Sequence, residues 1–123
     1  MTISVFGNPV YEDDALLVRM LPQLRKAFPQ HKFIHQDPTE NIIIPKDEWV
    51  ILDVAQGIDK ITVFNNLDQF ESTRSVSVHD YDLFLELKLQ EKLNKLPKLK
   101  IITVPIDINQ DIILKKLAKL LIS

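Results

Sequence analysis

Three residues of types that bind divalent metals stand where predicted strands give way to turns or helices. Asp14 lies beyond the turn Gly7-Asn8-Pro9, Asp53 closes the strand read from Trp49 to Val54, and His79 precedes a helix in Ser77-Val78-His79-Asp80-Tyr81-Asp82. Two carboxylates and an imidazole suit zinc, nickel, iron or manganese, and such a set leaves coordination positions open for water or substrate. Spacing alone does not choose among these metals. Each residue also has a structural role open to it: Asp14 as a first-turn acid complementing a helix dipole, Asp53 as a strand-end acid satisfied by backbone N–H groups, and His79 as a partly exposed helix-entry residue.

Other chemistries lack their parts. The chain has no cysteine, which excludes disulfides, thiolate metal sites, iron-sulfur clusters and a Cys nucleophile. Only two glycines occur, Gly7 and Gly57, so neither a dinucleotide fingerprint nor a phosphate-cradling loop can be assembled. No serine sits in a G-x-S-x-G elbow, and Ser4, Ser72, Ser75 and Ser77 have no recognisable base partner.

The elements that must position the three residues follow from apolar runs and their breaks. Thr2 to Phe6 reads as a buried strand stopped by Gly7-Asn8-Pro9. Leu17, Met20, Leu21, Leu24 and Phe28 recur at helical spacing, with Pro22 inside the pattern, so a kinked helix is expected. Lys32 to His35, Trp49 to Val54, Lys60 to Phe64 and Lys100 to Val104 read as four further strands, and the nearly all-apolar second of these reads as central. Asp37-Pro38-Thr39-Glu40 is a turn-rich loop, and Asn65-Asn66 a turn leading to Gln69 and Phe70. Asp82 to Leu96 is leucine-rich, with a helical face assigned to Leu83, Leu87 and the Leu89/Leu93 pair, and is ended by Pro97. Asp111 to Leu121 forms a last helix with Ile113, Leu114, Leu117 and Leu121 inward.

Alternating strands and helices predict a three-layer α/β/α fold with a mostly parallel twisted sheet of about five strands. In such sheets the functional crevice lies outside the carboxyl ends of the strands, the edge to which Asp14, Asp53 and His79 are assigned. A chain of 123 residues with 46% hydrophobic residues supports one domain, residues 1–123, able to fold without metal. A net charge of −2 argues against a nucleic-acid partner. Residues 1–80 carry 12 acids and 7 Lys or Arg, whereas residues 81–123 carry 5 and 8, which points to a work surface on the acidic N-terminal side. The basic C-terminal helix reads as a core-covering helix with solvated Lys115, Lys116 and Lys119 rather than as a membrane surface. No apolar run approaches the roughly 20 residues of a membrane span, and no basic leader precedes the first strand. A reducing cytoplasm is the simplest expected location; the oligomeric state stays open.

Ile3 to Asp14, I-S-V-F-G-N-P-V-Y-E-D-D, resembles the opening of the nickel-iron hydrogenase maturation endopeptidases: an apolar strand, G-N, a short loop and an acidic pair. Val50-Ile51-Leu52-Asp53-Val54 resembles that family's apolar strand ending in Asp, and Ser77-Val78-His79 its S-x-H element opening a helix. Val104-Pro105 resembles its late strand-and-proline element. The chain departs from the pattern at Ala15, where Gly is usual, and at Asp37 to Glu40, where an Asp-Gly-Gly-Thr-like loop is usual.

The resemblance implies that Asp14, Asp53 and His79 are the metal ligands and the catalytic residues, with Asn8 and Asp13 shaping the loop. It also implies a substrate: the precursor of a hydrogenase large subunit, whose C-terminal extension is removed after nickel insertion. The divalent metal would then be nickel recognised on that substrate. The altered loop keeps a second expectation open, a non-catalytic metal-dependent module that recognises a maturation partner without cutting it.

Overall fold

A computed structural model describes residues 2–7, 15–37, 42–46, 48–55, 58–68 and 78–121. Five strands form one sheet: β1 (Thr2–Phe6), β2 (Lys32–Gln36), β3 (Glu48–Ala55), β4 (Thr62–Phe64) and β5 (Lys98–Pro105), in the order β2-β1-β3-β5-β4. β1, β2, β3 and β5 run parallel, and β4 pairs antiparallel with β5 at the edge. Helices α1 (Leu16–Arg19), α2 (Leu21–Ala27), α3 (Val78–Lys92) and α4 (Gln110–Leu120) cover the two faces. The predicted three-layer α/β/α architecture with a mostly parallel five-stranded sheet is the one observed.

Side chains alternate across a strand, so the two cores separate by residue parity. Ile3, Val5, Val50, Leu52, Ile102 and Val104 point to one face and pack with Leu17, Leu24 and Phe28 of the α1–α2 region and with Ile113 and Leu117 of α4. Phe6, Trp49, Ile51, Leu99 and Ile101 point to the other and pack with Phe84 and Leu87 of α3. Every residue of β3 after Glu48 is buried, as expected for a central strand covered on both sides. Its ladder with β5 spans eight residue pairs, from Glu48 and Lys98 to Ala55 and Pro105.

Polar residues inside this sheet are paired. The Ser4 hydroxyl oxygen accepts from Gln36 Nε2 at 2.6 Å and from Trp49 Nε1 at 2.9 Å. Gln36 also donates to the Ile43 carbonyl at 3.1 Å and accepts from the Ile43 amide at 2.7 Å, which fastens the segment before β3 along β2. Ile42 and Ile44 pack against the α3-side core as a result.

Four expectations are corrected by the chain's local chemistry. The first helical pattern is two helices: the chain turns at Met20 and restarts, so Pro22 falls in the first turn of α2, where its missing N–H is not needed. β4 is shorter than expected, beginning at Thr62, and its direction is reversed relative to its neighbour. α3 begins four residues earlier than expected, at Val78, and ends at Lys92 well before Pro97. Its end is a Schellman closure: Asn94 takes φ 56°, its N–H bonds the Glu91 carbonyl at 3.1 Å, and the Lys95 N–H bonds the Gln90 carbonyl at 2.9 Å. Leu89 and Leu93, assigned to the buried face, are 49% and 51% exposed, whereas Phe84 is buried and Leu87 wholly so.

The last helix behaves as read. Asn109 caps α4 by accepting from the Asp111 amide at 2.7 Å, and Ile113, Leu117 and Leu121 are buried with Leu114 packed beside them. Its other end is held by His31, whose Nε2 donates to the Leu121 carbonyl at 3.2 Å. Among the described residues no helix is long and apolar enough to cross a membrane.

Candidate functional site at the carboxyl edge of the sheet

The parallel strands fix which edge of the sheet can gather the predicted residues, since β1, β2, β3 and β5 all end there. Asp53 lies two residues before the end of β3, opposite Thr103 of β5. It does not close the strand as expected, because Val54 and Ala55 continue the ladder against Val104 and Pro105. By parity it shares the face of Trp49 and Ile51, the face that α3 covers. Asp53 is 3% exposed and has partners of its own. A carboxyl group this deep needs hydrogen bonds or a positive charge to remain ionised. Its burial sets it apart from an ordinary surface acid.

His79 does not precede its helix but belongs to the first turn of α3. The 15 residues of α3 span roughly 22 Å at 1.5 Å per residue. A five-residue connection, 93–97, joins the end of α3 to the start of β5, so the helix runs back against β5 and its first turn lies toward the carboxyl edge. The backbones of Asp53 and His79 therefore belong to the same end of the same face. Asp14 and its acidic neighbour lie outside the described residues, and so does the predicted meeting of all three. Among the described residues no group of three or more His, Cys, Asp or Glu side chains is assembled for a metal.

Two residues that sequence reasoning passed over contribute at this edge. His35, next to last in β2, donates from Nε2 to the Gly7 carbonyl at 2.7 Å. Gly7 has φ 155°, a conformation that a Cβ disfavours, and the segment leading to Asp14 departs from it. A histidine at the end of a predicted strand, adjacent in the sheet to a strand ending in Gly, was the available signal. Thr103 stands beside Asp53 on β5 and donates its hydroxyl to the Thr62 carbonyl at 3.0 Å, tying the short β4 to the sheet. A lone threonine in an apolar strand was its only mark.

The molecule is thus an α/β/α sandwich with the buried side chain of Asp53 on its central strand, near the edge where such sheets bind ligands. Its fold is shared with hydrogenase maturating endopeptidase HybD from Escherichia coli, with a TM-score of 0.60 and 19% identity over 85% of this chain and 74% of that one. It is likewise similar to the solution structure of an endopeptidase from Escherichia coli, with a TM-score of 0.63 and 18% identity over the same shares. An uncharacterized protein from Wolinella succinogenes resembles it with a TM-score of 0.52 and 12% identity, over 85% of this chain and 72% of that one. No protein-family model matches the sequence, and no curated protein matches it.

Proposed function

We propose that this chain is a metal-dependent endopeptidase that removes the C-terminal extension of a nickel-loaded hydrogenase large-subunit precursor. The observation that carries the reading is the buried Asp53 on the α3 side of the central strand, in a fold shared with an endopeptidase of hydrogenase maturation. Asp14, Asp53 and His79 are the proposed ligands, and their oxygen and imidazole donors fit a borderline divalent ion such as nickel. A metal held this way supplies Lewis-acid polarisation of the scissile carbonyl or of a water. The protein's own part is positional. β3 fixes the Asp53 backbone through its ladder with β5, α3 carries His79 to the same edge, and the His35 bond to Gly7 anchors the start of the segment bearing Asp14. No covalent nucleophile is required of the chain.

The test is incubation of the purified protein with a nickel-loaded precursor, with mass spectrometry of the product. Loss of the C-terminal extension is expected with the wild type and not with Asp53→Asn. Binding of the precursor without cleavage would replace this reading with that of a non-catalytic maturation module. Absence of both would remove the hydrogenase connection.

A further inference from the structure

The two halves of the sequence differ in charge, but the sharper division is between layers of the fold. Residues 15–36, which form α1, α2 and β2, contain no Asp or Glu. The helices expose Arg19, Arg25 and Lys26, whereas Lys32 of β2, the register partner of Thr2, belongs to the α3 face. α4 adds exposed Lys115, Lys116 and Lys119 against one acid, Asp111. The two groups are neighbours: Leu17, Leu21 and Leu24 share one core with Ile113, Leu117 and Leu121, and His31 bonds the end of α4 directly. Among the described residues this helical layer therefore carries six bases and one acid, out of the 15 bases and 17 acids of a chain whose net charge is −2.

We infer that the outer surface of the α1–α2–α4 layer is a docking face for an acidic polypeptide segment. Its character separates this partner from other polyanions. Among the described residues, aromatic groups on which bases could stack are missing from its exposed positions, because Phe28 and Phe33 are both buried. Among the described residues Ile112 is its single exposed large apolar side chain, too little for insertion into a lipid interface. A nucleic acid or an anionic bilayer extends beyond the layer and meets the acidic remainder of the molecule. A short acidic segment fits within the basic face and avoids that repulsion. The inference stands apart from the proposed reaction, since this layer lies on the face of the sheet opposite α3.

The experiment is fluorescence anisotropy of a labelled polyglutamate peptide with the purified chain, in parallel with a DNA duplex of similar charge and with vesicles of phosphatidylcholine and phosphatidylserine. Saturable binding of the peptide that weakens as salt rises is expected, with weaker binding to the other two probes. The triple variant Lys115→Gln, Lys116→Gln, Lys119→Gln removes three surface charge contacts and is expected to weaken peptide binding about tenfold. Arg25→Gln with Lys26→Gln, on α2 of the same layer, is expected to act in the same direction should the α4 variant lower the melting temperature. Lys46→Gln with Lys92→Gln, away from the layer, is expected to leave affinity unchanged. No binding of the peptide at low ionic strength, equal losses in the control, or tighter binding to DNA or vesicles would each overturn the inference.

Discussion

At the scale of single residues, burial separates candidate chemistry from ordinary surface charge. Asp53 is nine-tenths removed from solvent and more, in a strand whose other residues after Glu48 are buried and, Asp53 aside, all apolar. An acid there serves a purpose that an apolar residue would not. Asp53→Asn keeps the shape and removes the charge, so loss of nickel binding is expected with the far-ultraviolet circular dichroism spectrum unchanged; titration calorimetry beside that spectrum checks it. Equal nickel binding by the two proteins would remove Asp53 from the site. Ser4 is a purely structural counterpart. Its hydroxyl satisfies two buried donors, and Ser4→Ala leaves both Gln36 Nε2 and Trp49 Nε1 short of a partner. A loss of about 2 to 4 kcal/mol in urea unfolding is expected, given the cost of stranding buried polar groups.

At the scale of elements, what could be read from the sequence depended on whether a pattern had one physical meaning. The β-branched run from Lys100 to Val104 and the apolar run around Ile51 admit only buried strands, and both are found. β4 was legible as a strand but not in its direction, since Thr62, Val63 and Phe64 would look the same in either orientation. α3 was legible as a helix but not in its face. Leucine recurs at 83, 85, 87 and 89, a two-residue repeat that supplies apolar side chains all round a helix, so packing rather than pattern selects Phe84 and Leu87. The prediction follows from that selection: Leu87→Ala is expected to cost about 2 to 5 kcal/mol, whereas Leu89→Ala is expected to cost well under that. Urea denaturation of the two variants decides which face is inward. The end of α3 offers a gain instead. Asn94 sits at φ 56°, so Asn94→Gly is expected to raise the melting temperature or leave it unchanged, and Asn94→Val to lower it. For the candidate site, strand ends marked Asp53 and a helix start marked His79, but burial and parity, which distinguish Asp53, exist only once the sheet has formed.

At the scale of the whole molecule, two cores on opposite faces of one sheet are the reason the fold is expected to stand without an ion. Clusters built around Leu17, Leu52 and Ile113 on one side and Trp49, Ile51 and Leu87 on the other supply the apolar burial that small metal-dependent domains lack. The melting temperature is accordingly expected to be the same with and without a chelator. A protein unfolded at room temperature after chelation would make the metal a structural strut and contradict an open, substrate-facing site.

The eight-pair ladder between β3 and β5 has a consequence in time as well as in space. In their middle, at Val50–Leu52 and Ile101–Thr103, both strands have a neighbour on each side and buried side chains above and below, so the amides there have no route to solvent short of opening the sheet itself. In deuterated buffer these amides are the last to exchange, on the clock of global unfolding, while the short edge strand β4 exchanges sooner. Asp53 directly follows that slowest stretch. Whatever adjusts when a partner arrives, its backbone is the fixed point against which the rest of the site is set.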